Sequence, residues 1–195
     1  AELGRGRSYG MELLFQQKLF KGWYAIASYT LFKSEFQDKN GVFRPSAWDA
    51  RHAISLTLGK KFKRNWEIGG RWIITGLRPY TPVDSLTSSL TSVWDARQEG
   101  IPQFDRLNAE RLNWAHFMDI RVTKRWNLDK VSIETFLDIQ NVYNFQAESP
   151  PVLIVDKDAN GQRITNPTQP NFYQTQFLQT TDGTLIPSIG FILEY

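Results

Sequence analysis

The sequence predicts an all-β protein, specifically an antiparallel segment of a transmembrane β-barrel, and three observations support this fold class. Apolar and polar residues alternate with a period of two along about seven stretches, whereas helical periodicity is almost absent. Tight turns and long connections alternate between these stretches, as in outer-membrane barrels. Each stretch holds roughly ten residues, which is the length of a tilted strand that crosses the hydrocarbon layer.

The composition narrows the class further. With 41% hydrophobic and 14% aromatic residues, the chain is too apolar for intrinsic disorder. It contains no cysteine, which excludes a disulfide scaffold and a cysteine-based zinc site. It also lacks an apolar run of about 18 residues, which excludes a membrane-spanning helix. The formal net charge of +3 is too small and too scattered to indicate nucleic-acid binding.

The first four predicted strands show the alternation clearly. Tyr9–Leu19 sets methionine, leucine and phenylalanine against glycine, glutamate, glutamine and lysine, and Trp23–Phe32 has an apolar or aromatic residue at every second position. His52–Phe62 alternates isoleucine and leucine with serine, threonine and glycine. Trp66–Thr75 sets tryptophan and isoleucine against glutamate, arginine and threonine. One face of each strand is therefore predicted to be apolar and the other polar.

Three further strands are predicted in the second half of the chain. Phe117–Trp126 alternates methionine, isoleucine and valine with aspartate, arginine and threonine. Val131–Asn141 sets valine, isoleucine and leucine against serine, glutamate, aspartate and glutamine. Leu185–Tyr195 alternates isoleucine, phenylalanine and leucine with serine, glycine and glutamate. The same two-faced pattern thus continues to the last residue.

The connections between the predicted strands are short and long in turn. Three tight turns join the strands into hairpins, namely Phe20–Gly22, Lys63–Asn65 and Asn127–Lys130. The links between hairpins are about Lys33–Arg51, Gly76–His116 and Val142–Thr184. Compact soluble domains rarely carry structureless loops longer than about 12–15 residues. This asymmetry is typical of an outer-membrane barrel, with short turns in the periplasm and long loops outside the cell.

The two predicted faces have the composition that a membrane wall requires. Aromatic rings, which settle at the headgroup level, recur at the turn-side ends of the apolar face, at Trp23, Trp66, Trp126 and Tyr195. The other face carries charges, which are costly in lipid but ordinary in a water-filled or plugged lumen. We expect the lumen-facing residues to include Glu67, Arg71, Asp119, Arg121, Glu134 and Asp138. Within one strand, Glu67 with Arg71 and Asp119 with Arg121 are expected to neutralise each other.

The strand count predicts that this chain is one part of a larger barrel. About seven strands leave two open edges, which lipid does not tolerate, and single-chain bacterial barrels use even strand numbers. If the last strand ends in the periplasm, the first strand begins on the extracellular side. We therefore expect residues 1–195 to form roughly the C-terminal third of a transmembrane barrel.

The last strand resembles the β-signal that the barrel-assembly machinery reads in outer-membrane proteins. Ser188, Gly190, Leu193 and Tyr195 occupy its polar, glycine, hydrophobic and terminal aromatic positions. Nearly the whole chain resembles the C-terminal barrel region of TonB-dependent outer-membrane receptors of the Bacteroidetes type. The segments that carry this resemblance are 8–12, 27–30, 49–52, 76–82, 118–126 and 136–144.

This resemblance implies a roughly 22-stranded barrel closed by an N-terminal plug domain that lies outside this chain. Such a receptor lies in the outer membrane of a Gram-negative bacterium and imports a scarce nutrient of the siderophore, cobalamin, oligosaccharide or peptide class. It is not an enzyme. The implied partners are outer-membrane lipid, the barrel-assembly machinery, the nutrient, and TonB, which acts through the missing N-terminal part. The family also allows a surface lipoprotein as a lid over the loops.

Catalytic and metal chemistry is not predicted. His52 and His116 have no partners at metal-ligand spacing, so we expect each to form a hydrogen bond at a strand end. No Gly-x-Ser-x-Gly elbow is present. Asp156–Gly161 resembles the start of a calcium loop, but Pro167 stands where the final glutamate belongs. We expect this segment to be a hairpin tip with Asn160-Gly161 as its turn, and we expect no cofactor or metal.

Candidate ligand contacts lie in the loop Gly76–His116. Exposed aromatic residues with charged neighbours suit stacking on sugars, aromatic siderophores or peptides. The candidates are Tyr80, Trp94, Arg97, Phe104, Asp105, Arg111 and Trp114. The alternative role for these residues is to pack the loop against its neighbours. For the chain as a whole, the alternatives are a smaller outer-membrane barrel that acts as an enzyme or adhesin, and a soluble, lipocalin-like ligand-binding β-protein.

Overall fold

The structure is a computed structural model that describes residues 4–195, and its main element is one antiparallel sheet. Seven long strands follow each other across this sheet in chain order. They are β1 (Gly6–Phe20), β2 (Trp23–Gln37), β3 (His52–Lys61), β4 (Trp66–Thr75), β5 (Ala115–Asn127), β6 (Ser132–Gln140) and β7 (Ile186–Glu194). All seven predicted strands are confirmed.

One strand end differs clearly from the prediction. β2 continues to Gln37, whereas the alternation predicted an end at Phe32. The reason is that the end of β2 is paired on both sides, with residues 6–9 of β1 and with a short strand, Phe43–Pro45, that folds back onto it. Their backbones supply the hydrogen-bond partners that the last residues of β2 need, and the side-chain pattern carries no signal of this pairing.

The antiparallel all-β class is confirmed, and the sheet is open. β1 pairs with β2 and β7 pairs with β6, and within residues 4–195 the outer edges of β1 and β7 do not pair with each other. In the described part of the chain, the seven strands thus form an open sheet with two unpaired edge strands. Among the same residues, no helix is long and apolar enough to cross a bilayer.

The three tight turns lie at one edge of the sheet, which we call the turn edge. Lys21 and Gly22 join β1 to β2, and both have positive φ (50° and 84°), as a type I′ hairpin turn requires. A short 3₁₀ turn, Lys63–Asn65, joins β3 to β4. Between β5 and β6, the backbone N–H of Leu128 donates to the carbonyl of Val131 at 2.8 Å. The long connections all leave from the opposite edge, the loop edge.

The register aligns the apolar residues of all seven strands on one face. Residues directly opposite each other in neighbouring strands share a face. One row across the sheet runs through Ala27, Leu56, Trp72 and Met118. The adjacent row, which belongs to the other face, contains Thr57, Arg71 and Asp119. We call these two surfaces the apolar face and the polar face.

The long connections are folded and contain their own short elements. The first holds the strand Phe43–Pro45. The second contains Pro79–Tyr80, Val83–Asp84, helix α1 (Ser85–Ser89), helix α2 (Thr91–Arg97), Ile101–Pro102, a 3₁₀ turn at Phe104–Arg106, and Glu110–Arg111. The third contains Ala147–Glu148, Val152–Val155, Thr165–Asn166, Gln169–Tyr173, Thr175–Leu178 and Thr181–Asp182.

The predicted hairpin tip at Asn160-Gly161 is confirmed. Lys157 and Arg163 form an antiparallel bridge on either side of it. The Asp158 carboxylate accepts the backbone N–H groups of Asn160 (2.9 Å) and Gln162 (2.8 Å). Gly161 has a φ of 80°, which suits glycine at this turn position.

The densest hydrophobic core of the described residues lies in the loops and not under the sheet. Trp94, Leu153 and Val155 are buried together, with Val83 and Tyr173 packed against them. The sheet itself is a single layer, so β1 is exposed along its whole length. The loops can therefore hold a fixed shape while both faces of the sheet remain uncovered.

Candidate functional site

The polar face carries all six residues predicted to face a lumen. Four of them line one shallow concavity of about 360 Å³ together with Thr57 and Gln140; these four are Arg71, Asp119, Arg121 and Asp138. The other two, Glu67 and Glu134, line a second concavity of about 260 Å³ nearer the turn edge. The alternation in the sequence thus assigned these side chains to one surface correctly.

The predicted neutralising pairs within single strands are wrong. Glu67 pairs with Lys61 on the neighbouring strand (3.7 Å) and accepts a hydrogen bond from the Tyr24 hydroxyl (2.7 Å). Arg121 lies 4.0 Å from Glu134. For Glu67 the reason is geometric, because Lys61 stands directly opposite it on β3, and opposite residues lie closer together than residues four apart on one strand.

The register also places opposite charges side by side in the first, larger concavity. Arg71 stands directly opposite Asp119, and Arg121 stands directly opposite Asp138. The Arg121 guanidinium lies 3.8 Å from the centre of the Phe136 ring. The surface is therefore a mosaic of both charge signs, which suits contact with a polar partner more than the steering of one ion type.

Two glycines on the polar face are covered by aromatic rings of the neighbouring strand. Tyr24 lies over Gly59, its direct partner, and Phe136 lies over Gly190. A side-chain carbon at either glycine would overlap the ring. Such aromatic–glycine pairs pin the register of neighbouring strands. Gly190, which the sequence predicts to be a barrel-assembly residue, has a packing role between β6 and β7.

The other members of the predicted barrel-assembly signal lie along β7 and just after it. Ser188 is on the polar face opposite Asp138, and Leu193 is on the apolar face opposite Ile133. Tyr195 follows the strand and is fully exposed. Their recognition by an assembly machinery stays a prediction.

Both histidines form the expected hydrogen bonds at the loop edge. His52 Nδ1 lies 2.9 Å from the Tyr29 hydroxyl, and His116 Nδ1 lies 2.8 Å from the Tyr143 hydroxyl. The Trp72 indole N–H donates to the same Tyr143 hydroxyl at 3.1 Å. This arrangement leaves each imidazole at the end of a strand and in contact with aromatic residues.

Sequence reasoning missed an aromatic border at the loop edge of the apolar face. Tyr29, Trp72, Trp114 and Tyr143 gather there around the two histidines, and the ring centres of His52 and Trp114 are 5.4 Å apart. Tyr29 and Trp72 lie six residues beyond Trp23 and Trp66 on the same strands. This spacing was a readable signal, because an even number of residues along a strand returns to the same face.

Among the predicted ligand-loop residues, Trp94 serves loop packing. Its side chain is only 7% exposed. Its neighbour Asp95 accepts a hydrogen bond from the Tyr173 hydroxyl (3.0 Å) and forms an ion pair with Arg163. These contacts join the second and third loops, so the indole surface is not presented to a ligand.

Arg111 likewise holds two loops together. Its guanidinium contacts the Asp49 carboxylate at 2.5 Å and donates to the backbone carbonyls of Asp49 and Leu77, both at 2.7 Å. Asp49 is fully buried and also accepts the backbone N–H of Ser34 at 2.9 Å. The first loop, the second loop and β2 thus meet at one buried ion pair.

The remaining predicted ligand-loop residues lie nearer the surface. Phe104 is 71% exposed in its 3₁₀ turn, with Asp105 exposed beside it. Arg97 forms an exposed ion pair with Glu99, and Trp114 is partly exposed beside His52. Tyr80 is half-buried in its short strand. A ligand role for these residues stays a prediction.

Two loop carboxylates are held in the charged form. The Arg44 guanidinium beside Asp38 holds the pKa of that carboxyl below its usual range, with the backbone N–H groups of Val42 and Asn40 assisting. Hydrogen bonds from the side chain and backbone of Thr87 lower the pKa of Asp84, which caps helix α1. Both groups stabilise local loop structure and show no arrangement for proton transfer.

The described part of the chain contains no cluster of three or more histidine, aspartate or glutamate side chains that could hold a metal ion. The notable features are therefore the two-faced sheet, the charged concavities and the packed loops. No known protein family, curated protein or solved structure matches this chain.

Proposed function

We propose that this chain forms wall strands and extracellular loops of a TonB-dependent receptor in the outer membrane of a Gram-negative bacterium. The receptor would import a scarce nutrient of the siderophore, cobalamin, oligosaccharide or peptide class. The observation that carries the membrane part of the proposal is the apolar face, which exposes large apolar side chains on every long strand and has aromatic residues along both borders.

The height of this face follows from the strand geometry. His116 at the loop edge and Trp126 at the turn edge lie on the apolar face of β5, ten residues apart. At about 3.4 Å per residue and a tilt of about 40°, this stretch spans about 26 Å along the membrane normal. Outer-membrane barrels carry an apolar band about 25 Å tall between aromatic girdles. β5 is therefore long enough to cross such a band, with His116 at its loop border and Lys124 and Trp126 at its turn border.

The exposure of the apolar face also supports a location in a membrane. Ile189 and Phe191 on β7 are 84% and 75% exposed, and large apolar side chains are exposed on the apolar face of every strand from β1 to β7. Monomeric soluble proteins rarely expose contiguous apolar patches of more than a few hundred Å². Lipid on one side and a polar lumen on the other would satisfy both faces of a single-layer sheet.

The open edges of β1 and β7 support a larger barrel. A strand edge in lipid must find backbone partners, so further strands of the same protein would have to pair with β1 and β7. The residues of β7 that resemble a barrel-assembly signal fit this interpretation. The charged concavities on the polar face would then meet a plug domain in the lumen.

The receptor part of the proposal rests on the sequence resemblance and is supported by the loops. The long connections form a packed assembly at a single edge, held by the Asp49–Arg111 ion pair and the Trp94 core. Binding residues in proteins lie disproportionately on loops that a rigid scaffold positions. Phe104 and Trp114 are exposed aromatic surfaces of the second loop on which a nutrient would stack, and Trp48 in the first loop is exposed as well.

The proposal is tested by the intact mass and location of the natural protein. We expect a mass several times 22.6 kDa in detergent-extracted outer membranes, and lost growth of a deletion strain on one limiting nutrient. The growth defect should match that of a strain lacking TonB. A protein that is released without detergent would contradict the membrane assignment. A membrane protein near 22.6 kDa would favour a smaller barrel, either an enzyme or an adhesin.

A further inference from the structure

An apolar groove of about 340 Å³ runs along the apolar face over strands β3, β4 and β5. Its floor is Gly70, which has no side chain and stands directly between Leu58 and Ile120. Trp72 borders the groove on the loop side. The missing side chain at Gly70 therefore deepens the middle of the groove.

The backbone does not require glycine at the floor of this groove. A side-chain carbon added to Gly70 would lie 3.6 Å from the Asp119 carbonyl oxygen and 3.9 Å from Met118 Cε, which are ordinary contact distances. The φ angle of Gly70 is not in the left-handed region. In this respect Gly70 differs from Gly59 and Gly190, whose places are filled by aromatic rings. The consequence of glycine at position 70 is the groove itself.

A lysine stands at the turn-side end of the groove. The Lys60 ammonium lies 4.1 Å from the centre of the Trp23 ring and 5.6 Å from that of Phe62. Among the described residues, no carboxylate lines the groove, and Lys60 forms no ion pair. Its neighbour in sequence, Lys61, points to the polar face and pairs with Glu67. Lys60 thus places a positive charge at one end of the apolar groove.

A second lysine lies on the same face near the turn edge, outside the residues that line the groove. Lys124 is also on the apolar face, near Trp66 and Trp126, with its ammonium 5.4 Å and 5.5 Å from their ring centres. It donates a hydrogen bond to the backbone carbonyl of Arg64. Two ammonium groups among aromatic rings, without acidic neighbours on that face, form a surface that attracts an anion carried by an apolar molecule.

We propose that the groove binds one anionic phosphoglycerolipid. One acyl chain lies over Gly70 between Leu58 and Ile120, and the phosphate group sits beside the Lys60 ammonium. The proposal rests on the proposed function, because the groove meets lipid only if the apolar face lies in a membrane. The turn edge is the side at which phospholipid headgroups would lie in an outer membrane whose short turns face the periplasm.

The test is lipid retention by the full-length protein in detergent micelles, measured by native mass spectrometry. The probes are dioleoylphosphatidylglycerol, which is anionic, and dioleoylphosphatidylcholine, which has the same chains and no net charge. The variants are Lys60→Gln, which removes the charge, and Gly70→Val, which places a branched side chain that suits a strand on the floor of the groove. Lys39→Gln removes an exposed loop lysine and is the matched control for net charge.

We expect the native protein to retain the anionic lipid more strongly than the neutral one. Lys60→Gln should weaken the anionic lipid about fivefold and leave the neutral lipid unchanged, because one basic side chain near a lipid headgroup has about that effect. Gly70→Val should weaken both lipids, and Lys39→Gln should change neither. A melting temperature equal to that of the native protein in lipid-free detergent will show that each variant is folded.

Equal retention of both lipids would overturn the inference, and so would a Lys60→Gln protein that behaves like Lys39→Gln. Either result in a protein that stays in the membrane fraction would leave the proposed receptor function intact. Release of the natural protein without detergent would refute both proposals together. Persistent binding of a protein at the groove, with no lipid retained, would assign the surface to a protein contact instead.

Discussion

The buried ion pair between Asp49 and Arg111 gives the sharpest test of how the loops are held. The carboxylate is fully buried and the guanidinium is 17% exposed. Replacing Arg111 with methionine keeps much of the side-chain volume but removes the charge and three hydrogen bonds. Asp49 would keep the N–H of Ser34 and a distant contact with Arg51 at 3.9 Å.

The expected magnitude follows from the charge that remains. Removing one partner of a buried ion pair costs about 3–5 kcal/mol, because the other charge stays buried without compensation. Since Arg51 is close enough to offset a part of this penalty, we expect the lower end, about 3 kcal/mol. A free-energy change of this size raises the population of the locally open state about 150-fold. The effect should be confined to the loops, because the sheet hydrogen bonds are untouched.

The assay is amide hydrogen exchange of the detergent-purified protein, followed by mass spectrometry. Peptides from residues 38–51 and 76–114 should exchange about 150-fold faster in Arg111→Met, while peptides from β4 and β6 should not change. The matched control is Arg97→Met, which breaks the exposed pair with Glu99 and should change stability by only about 0–1 kcal/mol. The double variant Asp49→Asn/Arg111→Met removes the orphaned charge and should recover a part of the protection.

Two results would refute this reasoning. If Arg111→Met exchanges no faster than Arg97→Met, the buried ion pair does not hold the loops. If adding Asp49→Asn gives no recovery, the loss comes from the missing hydrogen bonds and not from an uncompensated charge. Both outcomes are read from the loop peptides. The peptides from β4 and β6 serve as the folding control, because a general loss of folding would make them exchange faster as well.

Three further predictions concern other parts of the molecule. Trp94→Ala should destabilise the loop core by about 3–5 kcal/mol, measured as faster exchange of the same loop peptides, and unchanged rates would show that the core is not essential there. The pKa of Asp84 is lowered in the folded state, so the stabilisation by its carboxylate is complete at neutral pH and is lost as the pH falls below about 4. In exchange measurements between pH 3 and 7, Asp84→Ala should remove this pH dependence and destabilise helix α1 by about 1 kcal/mol. A pH dependence equal to that of the native protein would contradict the role of this cap. Gly190→Ala should displace the Phe136 ring and reduce the amount of folded protein in the membrane. The double variant Gly190→Ala/Phe136→Ala should restore the amount of folded protein. A double variant no better than the single one would show that the glycine acts through recognition of the strand and not through packing.

The sheet could be predicted well because its signal is local. Every second residue of a strand faces the same way, so the alternation in Tyr9–Leu19 or Trp66–Thr75 indicates both the strand and its apolar face without reference to any other segment. Turn residues act over the same short range. Lys21 and Gly22 accept positive φ and place β1 beside β2, and Asn160-Gly161 does the same at the loop hairpin.

What the alternation could not predict depends on which segments meet. Trp94 and Arg111 looked like ligand contacts in the sequence, yet their partners Val155 and Asp49 lie about sixty residues away along the chain, and only the folded loops bring them together. The neutralising pairs failed for a related reason, because register decides which charges are neighbours. Glu67 could be assigned to the polar face by its position in the strand, but its pairing with Lys61 depends on how β3 and β4 align. The sequence by itself therefore determined the strands and their two faces, because these arise from backbone geometry within one segment. The tertiary structure alone decided the loop core, the ion pairs and the groove at Gly70, because these arise between segments.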